Sequence, residues 1–168
     1  MVETLSPSLP PRVERLAHQV ARTACERQLS LVTAESCTGG MLASLLTDVE
    51  GSAHAFDRGF VTYTDAAKHD LLGVPERLLQ TEGAVSEAVA RAMALGGLER
   101  SRGQICLSIT GFAGPGAPGD EPGLVYFGLA GHGLTTSCLK RTFGDLGRGG
   151  VRLACLETGL ELLLHSIG

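Results

Sequence analysis

The sequence has no tryptophan, no excess of basic residues, no long apolar run and no Cys-x-x-Cys pair. Each absence removes a class of protein. Nucleic-acid binding draws its affinity from clustered Lys and Arg neutralising phosphates, so a formal charge of -4 without a basic stripe argues against such a partner. A membrane-spanning helix needs roughly 20 apolar residues in succession, and none occurs, so no membrane partner is expected. Residues 1–11 lack the charged and apolar regions of a secretory signal, which points to the cytoplasm. The five cysteines, Cys25, Cys37, Cys106, Cys138 and Cys155, are odd in number and scattered, mostly in apolar stretches. Free buried thiols are expected rather than disulfides. The five histidines show no paired ligand spacing, so neither a metal nor a cofactor is expected.

What is present is the composition of an ordinary α/β protein, 43% hydrophobic and rich in Gly and Ala, with 168 residues to bury one core. Residues 1–10 read as a flexible lead-in, and residues 11–168 as a single domain. From Pro11, the positions Val13, Leu16, Ala17, Val20 and Ala24 recur at helical spacing. Strands are expected at 29–33, 58–63, 105–110, 124–130 and 135–143, the last two pairing antiparallel across a short link. Helices are expected from Met41, from an N-cap at Thr64 to Gly73, from Pro75 to Gly83, after a cap at Ser86, and from Arg148 to the end. The fold implied is a three-layer α/β/α sandwich with a mixed central sheet.

The stretch Leu29–Leu46 organises the chain: an apolar strand, the turn Ala34-Glu35-Ser36-Cys37-Thr38-Gly39-Gly40, then a helix. Loops at 35–40, 63–68 and 110–119 all follow strands, and in open α/β sheets ligands gather beyond strand carboxyl ends. Ser36 reads either as a helix cap or as a nucleophile, which then needs a base. Lys68 reads either as a solvated lysine or, buried near a helix start, as that base. Cys37 is a competing nucleophile or a small buried residue. Tyr63 either orients the lysine and substrate or is a core aromatic, and Glu35 either bonds backbone donors or serves acid–base chemistry. The N–H groups near Thr38, Gly39 and Gly40 are placed to form an oxyanion hole or hold a phosphate.

These motifs, together with Gly59-Phe60-Val61-Thr62-Tyr63-Thr64-Asp65-Ala66-Ala67-Lys68, Leu72-Gly73-Val74, Gly83-Ala84-Val85-Ser86 and Thr110-Gly111-Phe112-Ala113-Gly114-Pro115, resemble the C-terminal domain family of the competence/damage-inducible protein CinA. The likeness runs from about Val13 to near the C-terminus. Stand-alone members are nicotinamide mononucleotide deamidases, so the resemblance implies hydrolysis of that carboxamide to nicotinic acid mononucleotide and ammonia in pyridine-nucleotide recycling. It implies Ser36 as nucleophile, Lys68 as base and Tyr63 beside them. Substrate contacts are expected from Glu35, Cys37, Thr38, Gly39, Gly40, Thr110, Gly111, Ala113, Gly114 and Arg148. A homodimer or larger homo-oligomer is implied as well. Full-length members carry a separate N-terminal pyrophosphatase-type domain, for which 168 residues leave no room.

Two segments depart from the family pattern. Its Lys-Pro-Val-Gly-Thr-Val-like strand entry is Glu121-Pro122-Gly123-Leu124-Val125 here, and its Gly-Asp-Arg segment reads Gly144-Asp145-Leu146-Gly147-Arg148. If the displaced arginine holds a phosphate, Arg148 takes that place from a longer loop. Rival readings are a nucleotide-binding regulatory module with weakened turnover, and an amidase for another small amide.

Overall fold

The computed structural model describes residues 9–168, so the expected lead-in lies, except for Leu9 and Pro10, outside the described residues. In chain order the elements are α1 (Pro11–Glu26), β1 (Leu31–Glu35), α2 (Met41–Thr47), β2 (Phe56–Val61), α3 (Asp65–Leu72), α4 (Glu76–Glu82), α5 (Glu87–Glu99), β3 (Ile105–Gly111), β4 (Leu124–Gly131), β5 (Ser137–Thr142) and α6 (Gly147–Ile167). The strands form one sheet in the order β2-β1-β3-β4-β5. β1 runs parallel to both β2 and β3, whereas β3/β4 and β4/β5 are antiparallel, which is the mixed sheet expected.

Two cores sandwich the sheet. On one face Val13, Ala17, Val20 and Ala24 of α1 join Leu42 of α2 and Val151, Leu156, Leu160 and Leu163 of α6 over Leu31, Leu107 and Ile109. On the other, Leu72 of α3, Leu79 of α4 and Val89 and Met93 of α5 cover Val32, Ala34 and Cys106. Alternate residues of β1 thus go to opposite cores, which is why all five are buried. Small residues let α5 approach closely: a Cβ on Gly128 would stand 2.2 Å from the Ala90 carbonyl oxygen. There Ser108 Oγ donates to that carbonyl at 2.6 Å and accepts from the Gly128 N–H at 3.1 Å.

Strand limits differ from the sequence reading. β1 lies two residues later than the apolar run, because its ladder to β2 and β3 extends through Glu35. β2 begins at Phe56 and ends at Val61, so Thr62 and Tyr63 already belong to the following loop. The expected caps hold: Thr64 Oγ1 accepts from the Ala67 N–H at 3.1 Å, and Ser86 Oγ from the Val89 N–H at 3.3 Å.

Candidate active site

β1 departs toward β2 on one side, while β3 lies on its other side, so the carboxyl ends of β1 and β3 form a topological switch point. A cavity of about 290 Å³ opens there. It is lined by Ser36 and Cys37 after β1, Tyr63 and Lys68 around the start of α3, Thr110–Pro115 at the end of β3 and beyond it, Ala84 and Val85 before α5, and Arg148 of α6. The three loops expected to converge do so.

Ser36 is 7% exposed, and its N–H donates to the Ile109 carbonyl at 2.9 Å, tying the turn to β3. Lys68 is 1% exposed, held in place by the capped start of α3. Its Nζ lies 3.0 Å from Ser36 Oγ, 3.0 Å from the Thr62 carbonyl oxygen and 3.3 Å from the Tyr63 carbonyl oxygen. Carbonyls only accept, so these two take two N–H donors of the amine. The third direction, which carries the lone pair once the amine is neutral, faces the serine hydroxyl. Burial pushes the Lys68 pKa down from its ordinary 10.5, opposed by the negative charge of Asp65 and by Cys37. A hydroxyl in contact with an amine of depressed pKa is the arrangement an activated nucleophile needs.

Tyr63 is not a core aromatic. Its side chain is 63% exposed at the cavity, and it contacts the lysine through its backbone carbonyl. Cys37 is 4% exposed and lines the cavity. Its thiol pKa is lowered chiefly by a hydrogen bond with Cys155 of α6, against the opposing effect of burial, and the Cys155 thiol is pushed up by the same bond. All five cysteines are free.

Four expected substrate contacts fall elsewhere. Glu35 is fully buried, and its carboxylate accepts from Thr38 Oγ1 at 2.6 Å and from the N–H groups of Gly40, Leu42 and Ala43 at 3.2, 3.1 and 2.8 Å. It caps α2 from the end of β1, because Gly40, at φ +92°, brings no capping side chain. Of the N–H groups expected to hold an oxyanion or phosphate, the carboxylate therefore takes that of Gly40. Gly39 N–H is also taken, donating to the Ser36 carbonyl at 3.1 Å, and neither Thr38, Gly39 nor Gly40 lines the cavity. Thr110 lines it but turns its hydroxyl to the Ala84 carbonyl at 2.8 Å.

Gly111, Ala113, Gly114 and Arg148 line the cavity. Arg148 lies in the first turn of α6 rather than in a loop, with its guanidinium packed on Gly114, where a Cβ would stand 2.6 Å from it. Ala84, Val85, Phe112 and Pro115, which belong to the quoted motifs but had no substrate contact assigned, complete the lining. Arg152 was missed as well: its Nε donates to the Cys37 carbonyl at 2.8 Å. Its spacing of four from Arg148, placing both on one face of α6, was the available signal. Among the described residues, no group of three or more His, Cys, Asp or Glu is placed to hold a metal, and no helix is long and apolar enough to cross a membrane.

Fold and cavity together define an open three-layer α/β protein with a buried serine–lysine pair at its switch point. A model of the CinA C-terminal domain matches residues 13–167. Nicotinamide-nucleotide amidohydrolase PncC of Enterobacter agglomerans is 42% identical over 157 residues, covering 92% of this chain and 94% of that protein. A competence-damage inducible protein of Symbiobacterium thermophilum is 53% identical over 122 residues, covering 71% of this chain but 29% of that protein. The chain thus spans less than a third of the length of that relative. The crystal structure of competence/damage inducible protein CihA from Agrobacterium tumefaciens superposes with a TM-score of 0.90 at 42% identity, covering 94% of this chain and 97% of that one. The chain belongs to the CinA C-terminal domain family.

Proposed function

We propose that this protein is an amidohydrolase that converts nicotinamide mononucleotide to nicotinic acid mononucleotide and ammonia. The observation that carries the reading is the 3.0 Å contact between the buried Lys68 Nζ and Ser36 Oγ at the cavity. Likeness to a nicotinamide-nucleotide amidohydrolase over nearly the whole of both chains supports the substrate.

In this reading Lys68 Nζ takes the Ser36 proton as Oγ bonds to the carboxamide carbon, and the carbonyl electron pair moves onto oxygen. Collapse of that intermediate breaks the C–N bond, and the proton on Nζ leaves with ammonia. Water then attacks the acyl-serine, giving its proton to Lys68, which returns it to Oγ as the acid departs. Arg148, at the Gly114 end of the cavity, supplies a cation for the substrate phosphate. Following the family resemblance, we place the reaction in cytoplasmic pyridine-nucleotide recycling by a homodimer or larger homo-oligomer.

The test is ammonia release from nicotinamide mononucleotide by the unsubstituted protein, Ser36→Ala and Lys68→Ala, with folding checked by melting. Turnover is expected in the first and none in the second, while Lys68→Ala should lose about 10²–10⁴ in kcat with little change in KM. Absence of turnover from the unsubstituted protein, with a ligand-dependent rise in melting temperature, would identify a binding module instead.

A further inference from the structure

Between Ser36 and Ala43 the backbone donors divide sharply. Glu35 takes the N–H groups of Gly40, Leu42 and Ala43, Gly39 donates to the Ser36 carbonyl, and Met41 to the Thr38 carbonyl. Ser36 donates to Ile109. The N–H groups of Cys37 and Thr38 remain, and neither donates to an acceptor among the described residues. Both residues are nearly closed to solvent, at 4% and 0% exposure. Buried unpaired donors are costly unless something completes them.

The carbonyls of the same two peptide units are held. Gly39 N–H fixes the Ser36 carbonyl at 3.1 Å, and Arg152 Nε fixes the Cys37 carbonyl at 2.8 Å. N–H and C=O point in opposite directions across a trans peptide, so holding each carbonyl sets the direction of the next N–H. Arg152 has no carboxylate within ion-pair distance among the described residues. Among the described residues its one side-chain hydrogen bond is to the turn that carries Ser36.

We infer that Arg152 is a positioning residue: by gripping the Cys37 carbonyl it holds the turn in which the Cys37 N–H, beside Ser36 at the cavity wall, is the oxyanion-hole donor for the intermediate on Ser36. The inference rests on the amide-hydrolysis reading. When Ser36 Oγ bonds to the carboxamide carbon, the serine proton passes to Lys68 Nζ and the displaced carbonyl pair makes an oxyanion. A fixed donor beside the nucleophile stabilises that charge, which the ground-state amide lacks, so its effect belongs in kcat.

Two readouts test it: ammonia release from nicotinamide mononucleotide, and the rate at which a fluorophosphonate, whose P–O bond develops the same charge, labels Ser36. Arg152→Met is expected to lower both kcat and the labelling rate by about ten- to a hundredfold with KM within about twofold. Arg152→Lys, which keeps a donor within reach of the Cys37 carbonyl, should recover part of both rates, and stands in if the methionine variant fails to fold. Folded variants with unchanged kcat and labelling overturn the inference. So does a rise in KM at constant kcat, which would make Arg152 a substrate-binding cation. An unsubstituted protein that neither releases ammonia nor labels at Ser36 overturns the hydrolase reading itself, and this inference with it.

Discussion

Lys68 is a full-length cationic side chain kept from water, with a pKa pushed below 10.5 chiefly by burial. Because the folded value is depressed, the folded chain binds fewer protons than the unfolded one between that value and 10.5. Stability attributable to Lys68 therefore rises with pH across that window, and below it the full cost of burying a charge remains. Compared with Lys68→Met, the unsubstituted protein should gain melting temperature as pH climbs toward 10.5, and its kcat/KM should rise along a limb with midpoint below 10.5. Melting and rate profiles across that range check both. Glu35 is a buried carboxylate of the Ser36 turn, and its two oxygens carry unequal loads. Oε2 accepts from Thr38 Oγ1, Gly40 and Leu42, and Oε1 from Ala43. A glutamine there can keep its oxygen on the crowded side only by turning its NH₂ against the Ala43 N–H. Glu35→Gln should cost about 2 kcal/mol in denaturant unfolding, and turnover should fall as the Ser36 turn loosens.

At the scale of elements, α3 matters because it is short and presents Lys68. Its eight residues start at the Thr64 cap and stop at Gly73, which takes the left-handed conformation at φ +66°. Removing the cap with Thr64→Ala should lower stability by about 1 kcal/mol and depress kcat, with Thr64→Ser restoring both. Denaturant midpoints and steady-state rates decide this. Both ends of α3 were legible in the sequence, since cap chemistry is local: Thr before Asp65 and Gly73 at the end. The end of β1 was not legible. A glutamate after an apolar run reads as a turn residue, and here it is a fully buried ladder residue because α2's open donors come back to meet its carboxylate. For Arg148 the sequence offered both the start of the closing helix and a lengthened loop; the helix prevails, because α6 begins one residue earlier, at Gly147.

For the whole molecule, the sheet order β2-β1-β3 is what brings residues 36, 68, 110–115 and 148 to one cavity. A site assembled from five separated segments should stabilise the entire fold when filled. With Ser36→Ala to prevent turnover, nicotinamide mononucleotide at a hundred times its Kd should add about 2.7 kcal/mol to unfolding. Nicotinamide and its riboside, at the same concentrations, should add less, and Arg148→Ala should remove that difference. Calorimetric melting with the three ligands makes the comparison.

The sequence alone determined the fold class, nearly every helix and strand and the two side-chain caps, and it pointed to Ser36, Lys68 and Arg148, which line one cavity, because periodicity, capping and motif order are local properties of the chain. Tertiary structure decided which donors are free. That the Gly40 N–H is taken and the Cys37 carbonyl is gripped depends on where the Glu35 carboxylate and the Arg152 guanidinium lie. Arg152 comes from a helix 115 residues away from the turn it grips, and hydrogen bonds of that kind are made only when the sheet and its two helical layers have closed.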